Sequence, residues 1–417
     1  MALNIATGTF KTGTTTADIV VSGLGFQPKM GLVWMVGRTE AAAGVSEANL
    51  FMSLGMFSGV GEEACIVGSS KAVAGRSECD RGMRDDSCLA RLNLSAVFDG
   101  LASFKSFQAG GFTLQVDDAF DADYTVMYWV AGGDDLTDAK VIQWVGNNAE
   151  GDQDVTSLSF QPDALIQLNT RNGSTPPVTF IDMLLSIGVC AGTGDSDNAV
   201  LASAGDNLSD PTDTIGFATD GEFTPILKTP ETVVQKGKIK AFLSNGFRIT
   251  WQDSNQNVTR YFTLAFKGGQ WKVGSITTAT DTTPVSETSV AFKPVGLLLG
   301  SASRAKDVSE EFDFGESTDH AQVSIGAAAG PTSRFVQAYR DEKGLTAPEI
   351  TTGIRDDAMY MNVDDAGEAG VMDLDSFNNN GFTWRMDDAD PTASYAWYLA
   401  GGSNPIASET ILIKRRF

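Results

Sequence analysis

Short apolar runs and polar stretches alternate along the chain, and the runs return at a fixed interval. The run MGLVWMV follows a Phe-x-Pro triplet that begins at Phe26, and similar runs follow triplets at Phe160 and Phe292. These phenylalanines lie 134 and 132 residues apart (160 − 26 and 292 − 160). Proline cannot donate a ladder hydrogen bond and biases its predecessor toward extended backbone, so each triplet predicts the start of a strand.

A second repeated motif is Ser-[Leu/Ile]-Gly-x3-Gly, which begins at Ser53, Ser186 and Ser324. Small residues inside a strand indicate a close approach of another backbone segment or a β-bulge. A phosphate-binding loop is the alternative, but no Lys-Ser/Thr pair and no helical pattern follow the glycines.

The third motif, Phe-x3-Gly-Phe, occurs as FQAGGF, FLSNGF and FNNNGF, starting at Phe107, Phe242 and Phe377. Asn-Gly and Gly-Gly between apolar residues predict tight β-hairpins. Each hairpin precedes a closing segment, YTVMYWVAGG, YFTLAFKGG or YAWYLAGG, that is apolar at odd and even positions alike. That pattern predicts a central strand with both faces covered.

The three motifs define one module of about 130 residues used three times. Frequent turn residues and almost no helical periodicity predict an all-β fold of three tandem β-sandwich domains, jelly-roll-like in topology. An up-and-down barrel is the alternative. We place the domains at residues 1–135 (repeat 1), 136–269 (repeat 2) and 270–417 (repeat 3, with a C-terminal strand or tail). Three such domains can form an elongated molecule or close into a pseudo-threefold disc, and the sequence leaves both open.

Composition and charge narrow the classes of partner. Of 417 residues, 42% are apolar and 20% are charged, which is typical of a globular chain. The net charge of −23 disfavours binding to nucleic acid or to anionic membranes. The first residues show no basic region with an apolar segment behind it, and no apolar run approaches membrane-spanning length. We therefore expect synthesis in the cytoplasm and no membrane insertion.

The candidate chemical groups predict no catalytic or cofactor site. Cys65, Cys79, Cys88 and Cys190 fit no CxxC or zinc-ligand spacing, so we expect free thiols, with a disulfide within residues 65–88 left open. His320 is the single histidine, and we expect it on the surface or in a turn rather than in a catalytic triad.

Clustered carboxylates are the one candidate for a metal site. They lie in DDAFDAD and DDADP, at Asp117, Asp118, Asp121, Asp123, Asp387, Asp388 and Asp390. Calcium prefers such oxygen ligands, but the repeat 2 counterpart, DSNQN, holds one carboxylate, and the EF-hand spacing is absent. We therefore expect solvated loops and assign no metal.

Tryptophans and arginines recur within the strand patterns. We expect core packing for the tryptophans, with sugar stacking on an exposed ring as the alternative: Trp34, Trp129, Trp251, Trp384 and Trp397. Arg38, Arg171 and Arg304 follow the landmark phenylalanines by 12, 11 and 12 residues, and we expect each to end a strand in an ion pair. The terminal ILIKRRF, with Lys414, Arg415 and Arg416, is either a strand and tail that dock on an acidic neighbour or a frayed end.

Two segments, GTFKTG…VVSGLGFQPKMGLVWMVGRTE and GGFTLQVDDAFDADYTVMYWVAGG, resemble modules of virion structural proteins of tailed bacteriophages. The resemblance implies a non-enzymatic protein of the particle: a head decoration protein, or a fibre, collar or baseplate component of the tail. It implies a virion location after synthesis in the host cytoplasm, with other virion proteins as partners. The resemblance supplies no catalytic residues. We expect homo-oligomeric assembly by edge or face contacts between sandwiches, because exposed β-edges favour pairing. The alternative is a lectin-like protein that recognises a host-surface glycan.

Overall fold

The structure is a computed structural model, and it describes most of the chain. The described residues are 2–73, 76–208, 212–228, 232–253, 258–306, 320–342, 344, 349–364 and 367–405. Within these ranges the regular structure is strand, apart from one turn of 3₁₀ helix at Asp195–Asp197, and no helix there could cross a bilayer. The C-terminal ILIKRRF lies outside the described residues.

Repeat 1 contains β1 (Asn4–Lys11), β2 (Ile19–Ser22), β3 (Pro28–Met35), β4 (Ala42–Glu47), β5 (Asn49–Gly59), β6 (Glu62–Val73), β7 (Arg76–Arg84), β8 (Leu89–Leu92), β9 (Phe98–Gln108), β10 (Gly111–Asp118) and β11 (Thr125–Gly132). Repeat 2 contains β12 (Asp138–Val145), β13 (Gly151–Val155), β14 (Ala164–Asn169), β15 (Val178–Ile181), β16 (Met183–Cys190), β17 (Asn198–Gly205), β18 (Thr214–Asp220), β19 (Thr224–Lys228), β20 (Thr232–Leu243), β21 (Gly246–Trp251) and β22 (Arg260–Lys267). Repeat 3 contains β23 (Gln270–Thr277), β24 (Val285–Glu287), β25 (Gly296–Ser301), β26 (Ala321–Gly330), β27 (Ser333–Asp341), β28 (Ile350–Arg355), β29 (Tyr360–Asp364), β30 (Gly367–Asn378), β31 (Gly381–Asp388) and β32 (Tyr395–Gly402).

These strands form six antiparallel sheets, a large and a small one for each repeat. The large sheets have the orders β1-β11-β3-β5-β6-β7-β15, β12-β22-β14-β16-β17-β18 and β23-β32-β25-β26-β27-β28-β4. The small sheets are β2-β10-β9-β8, β13-β21-β20-β19 and β24-β31-β30-β29. In every repeat the first strand pairs with the last strand in the large sheet, and the second strand pairs with the second-last strand in the small sheet. Four further strands, each paired with the next, complete the large sheet.

The predicted hairpins are confirmed, and the structure shows why they need glycine. Phe107 pairs with Phe112 across a two-residue loop, and the same pairing recurs in the other two repeats. A Cβ on Gly111 would lie 2.0 Å from the Val21 carbonyl oxygen of the next strand. On Gly246 and Gly381, the equivalent glycines, it would lie 1.7 and 1.8 Å from such an oxygen. The conserved spacing therefore serves sheet pairing as well as the turn.

The close backbone approach predicted from the second motif is also confirmed. A Cβ on Gly55 would lie 1.7 Å from the carbonyl oxygen of Cys88, which precedes β8 in the small sheet. A Cβ on Gly188 would lie 1.9 Å from the equivalent carbonyl oxygen of its repeat, and a Cβ on Gly326 would lie 2.0 Å from the one in its own repeat. These glycines let the start of the small sheet's edge strand cross the large sheet.

The closing strands β11, β22 and β32 are central, as predicted. Each is the second strand of its large sheet, and every residue of β11 and β32 is buried. One face of each large sheet packs on its own small sheet, while the other face turns toward the middle of the molecule. In β3, for example, Val33 belongs to the core of repeat 1 alone, whereas Leu32 and Trp34 belong to a central core.

The central core joins the three repeats. Leu54, Ile187 and Ile325 occupy the same position of the second motif in their repeats, and all three line one small apolar cavity. The apolar faces of the three large sheets therefore meet around a common pseudo-threefold centre. Of the two arrangements that the sequence left open, the structure shows the closed one.

Two strands leave their own repeat, and we call β4 and β15 the exchanged strands. β15 of repeat 2 extends the large sheet of repeat 1, with Phe180 opposite Arg81. β4 of repeat 1 extends the large sheet of repeat 3, with Val45 opposite Thr352. Main-chain hydrogen bonds thus tie neighbouring repeats together in addition to the apolar core.

The joint between repeats 1 and 2 is packed. Asp135 and Leu136 are 4% and 0% exposed. The backbone amide of Asn404, at the end of repeat 3, donates to the Asp135 carboxylate at 2.7 Å. The chain therefore returns to its first joint, and the three repeats form a closed ring.

Candidate functional site

The junctions between repeats are where polar side chains from different repeats meet. At the junction of repeats 1 and 3, Arg38 donates from Nη1 to Glu47 Oε1 on exchanged strand β4 at 2.8 Å. The same nitrogen lies 3.2 Å from Thr352 Oγ1 on β28. The ion pair predicted for Arg38 is confirmed. It lies within repeat 1, and the hydrogen bond to Thr352 is what connects repeats 1 and 3.

Arg304 has the equivalent place at the junction of repeats 3 and 2. Its Nη1 donates to the carbonyl oxygen of Gly216 on β18 at 3.3 Å. Gly216 and Thr352 stand at matching positions of their sheets, opposite Ser203 and Tyr339. Arg38 and Arg304 therefore reach the same strand of the neighbouring repeat.

Arg171 does not share this role, and its prediction as an equivalent arginine is wrong. The residue 11 positions after each landmark phenylalanine adopts left-handed backbone, with φ values of 76° at Gly37, 52° at Arg171 and 51° at Ser303. Arg171 is therefore the turn residue, and Asn172 is the counterpart of Arg38. The difference of one residue in spacing was the signal for this.

At the junction of repeats 1 and 2 the bridging arginine lies on the strand that pairs with the exchanged strand, and not 12 residues after a landmark phenylalanine. Arg81 on β7 donates from Nη1 to the carbonyl oxygens of Ile181 and Asp182, at 2.5 and 2.8 Å, where β15 ends. The pKa of Arg81 is lowered to about 10, mainly by burial; the charge of Asp182 opposes this shift and the charge of Arg171 contributes to it. An arginine thus bridges repeats at every junction, although its position in the repeat varies.

A buried carboxylate lies where all three repeats meet. Asp341, at the end of β27, is 0% exposed and accepts a hydrogen bond from Ser70 Oγ of repeat 1 at 2.7 Å. Its backbone oxygen accepts from Thr214 Oγ1 of repeat 2 at 2.8 Å. Burial raises the pKa of Asp341 to about 6, Ser70 opposes this, and Glu342 adds to it. Asp341 belongs to none of the three repeated motifs.

A second buried carboxylate lies inside repeat 1. Glu63 on β6 accepts the backbone amide of Phe104 at 2.5 Å, between the large and small sheets. Burial is the main cause that raises the pKa of Glu63 to about 7, and the charges of Asp117 and Asp86 add to it. Like Asp341, it is ionisable near neutral pH.

The carboxylate-rich loops are held by their own neighbours. In repeat 1, Asp121 pairs with Arg91 at 3.0 Å and accepts from the Tyr124 hydroxyl at 2.7 Å. In repeat 3, Asp390 is 0% exposed and accepts from the Tyr360 hydroxyl at 3.0 Å.

Asp117, Asp118, Asp387 and Asp388 are exposed. In the part of the chain that the structure describes, no three His, Cys, Asp or Glu side chains gather as metal ligands. Most of the counterpart DSNQN, residues 254–257, lies outside the described ranges.

The remaining sequence candidates are structural. The five tryptophans named above are at most 2% exposed, so core packing is confirmed and none of them offers a ring to a sugar. All four cysteines are buried free thiols, so the disulfide alternative is wrong. His320 is half-buried before β26, and its carbonyl oxygen accepts the Gly216 amide at 3.1 Å.

An open groove between repeats 1 and 2 was not anticipated. Its lining is mixed in charge and polarity, and it includes Lys29, Glu62, Phe107, Lys140 and Phe160. At the junction of repeats 2 and 3, Lys272 of β23 instead pairs with Asp197 of the 3₁₀ turn at 2.9 Å. The groove shows that the three junctions differ at the surface.

Comparisons with known proteins leave the family open. No protein-family model matches the chain, and no curated protein matches it. A solved fructofuranosidase from Schwanniomyces occidentalis complexed with fructose aligns over 95% of this chain and 98% of its own, with 8% identity and a TM-score of 0.14. The TodX deltaS2S3 mutant monoaromatic hydrocarbon channel aligns over 91% of both chains, with 11% identity and a TM-score of 0.12. TM-scores this low show no shared fold, so neither structure informs the function.

Proposed function

We propose that the chain is a non-enzymatic structural component of a phage particle, either a head decoration protein or a fibre, collar or baseplate component of the tail. In this proposal each repeat is one β-sandwich domain of jelly-roll-like type. The observation that carries the proposal is the central core, to which all three repeats contribute. The resemblance of two segments to virion modules points in the same direction.

A ring of three interlocked repeats suits a building block. The exchanged strands and the common core oppose movement of one repeat against another, because moving it would break main-chain hydrogen bonds and expose apolar surface. Such a body presents three related surfaces around one axis. It would fit a position of threefold or sixfold symmetry, where each surface contacts an equivalent neighbour. Its partners would be other virion proteins and further copies of itself.

A lectin-like role has less support. The tryptophans that would have stacked on sugars are in the core, so a glycan site would depend on other residues of the variable loops.

The test is electron cryomicroscopy of purified particles from the lysate of the phage that encodes the chain. We expect ordered copies of the three-repeat ring on the capsid or the tail, in density that accepts the structure as one rigid body. Particles that lack the protein by mass spectrometry, while the lysate contains it free, would contradict the proposal. Glycan binding by the free protein would then favour the lectin-like role.

A further inference from the structure

We propose that Asp341 is a pH-sensitive latch on the junction of the three repeats, closed when its carboxyl is protonated and loosened when it is ionised. This inference does not depend on the role in a phage particle. It follows from the place of the residue and from what surrounds it.

The repeats put different residues at this position. Ser70, Gly205 and Asp341 are equivalent, because each lies three residues after the partner of the serine in the second motif. Two repeats place a small neutral residue there, and repeat 3 places a carboxylate with no exposed surface. A buried charge without a countercharge is costly, so this side chain responds to its protonation state.

The surroundings offer the charge little compensation. The Oδ2 atom accepts from the Ser70 hydroxyl, while Oδ1 is buried with no hydrogen-bond partner. No Lys, Arg or His side chain of the described residues forms an ion pair with Asp341. Arg340, its neighbour on β27, is 3.4 Å from Glu342 instead.

Apart from Glu342, the groups named here around the carboxyl stay neutral at neutral pH. Burial raises the pKa of the Cys79 thiol on β7 and of the Tyr339 phenol, so both stay protonated at neutral pH. The hydroxyl of Thr214 on β18 donates to the backbone oxygen and does not titrate. The charge of Glu342 disfavours ionisation of Asp341 further.

The direction of the effect follows from linkage. The pKa of Asp341 is raised from 3.8 to about 6, so the folded state holds the proton more tightly than the unfolded state does. The stability that the protonated carboxyl gives the junction is therefore fully present below pH 3.8 and is lost as the pH rises from there through about 6. Loosening would first affect the contacts between β27 of repeat 3, β6 of repeat 1 and β18 of repeat 2.

The first test compares thermal unfolding of the wild-type chain and Asp341→Asn from about pH 3 to about pH 8. We expect the variant to melt about 5 °C above the wild type at the alkaline end, and the difference to vanish at the acid end. Parallel curves over the whole range would overturn the proposal.

The second test locates the response and keeps the proposal falsifiable if Asp341→Asn fails to fold. Hydrogen exchange, corrected for intrinsic rates, should quicken as the pH rises from 3.8 to about 6 in peptides that cover residues 212–220 and 320–342, and should change little above that pH. Glu63→Gln is the matched control, because it removes a buried carboxyl away from this junction and should leave that response unchanged. Ser70→Ala removes the donor to the ionised form and should move the response to higher pH. An unmoved response in Ser70→Ala would overturn the assignment to Asp341.

Discussion

The central core and the three outer cores use opposite faces of the same large sheets, yet they depend on different parts of the chain. Each outer core draws its buried side chains from a single repeat. The central core draws them from all three. An isolated repeat could build its outer core but would leave the other face of its large sheet bare, because nothing within the repeat covers it. The repeats therefore depend on one another for stability.

The largest expected effect comes from a charge in the central core. Ile187→Asp would bury an unpaired carboxylate among side chains of all three repeats, at a cost of several kcal/mol, and we expect the whole chain to lose cooperative folding. Circular dichroism and thermal unfolding measure this. The control, Val60→Asp, changes a residue that is 75% exposed and should melt like the wild type. Retention of folded repeats 1 and 3 in Ile187→Asp would show that the cores are independent.

The crossing glycines give the next effect. Gly55→Ala places a Cβ 1.7 Å from the Cys88 carbonyl oxygen, so backbone must move, and we expect a loss of about 3 kcal/mol in the free energy of unfolding. Gly59→Ala on the same strand is the control, because its nearest neighbour, a Glu62 carboxylate oxygen, would be 3.4 Å away. Chemical denaturation compares the two. Equal losses would mean that the close approach of the sheets is not what requires glycine.

An outer core also contributes a pH dependence. The pKa of Glu63 is raised from 4.5 to about 7, so its ionised form destabilises the folded state above that pH and has no such effect below 4.5. We expect Glu63→Gln to raise the free energy of unfolding by about 2 kcal/mol at alkaline pH and to have little effect in acid. Denaturant titrations at both ends of the range test this, and a gain in acid alone would contradict it.

The smallest effect concerns the surface of one junction. Arg38→Ala removes the ion pair with Glu47, which is 40% exposed, and the hydrogen bond to Thr352, so we expect a loss of about 1 kcal/mol. Arg38→Lys keeps the charge but not the bridging geometry, so its stability should lie between those of the wild type and Arg38→Ala. Thermal unfolding at low and high salt measures both variants. A loss that is independent of salt would point to packing rather than the ion pair.

The sequence predicted the parts of the fold that depend on local pattern. The hairpin between Phe107 and Phe112, the close approach at Gly55 and the buried closing strand β11 each follow from neighbouring residues and from repetition at a fixed interval. Three copies of a pattern made these inferences stronger than one copy could.

Features that depend on distant residues were not predicted. The exchanged strand β4 has the sequence AAGVSE, which shares no motif with β15, and its Val45 pairs with Thr352 in another repeat. Asp341 looks like any acidic residue in YRDEKG, because the Ser70 and Thr214 that enclose it come from elsewhere in the chain. Local sequence carries no signal for such contacts.

Small-angle X-ray scattering of the purified chain tests the closed ring most directly. Three repeats packed around one core give a radius of gyration of about 22 Å for a compact chain of this length. Three repeats of the same size in a line would give about 30 Å or more and a long tail in the pair-distance distribution. The compact value with a single-peaked distribution is the result that our account predicts, and the extended value would contradict it.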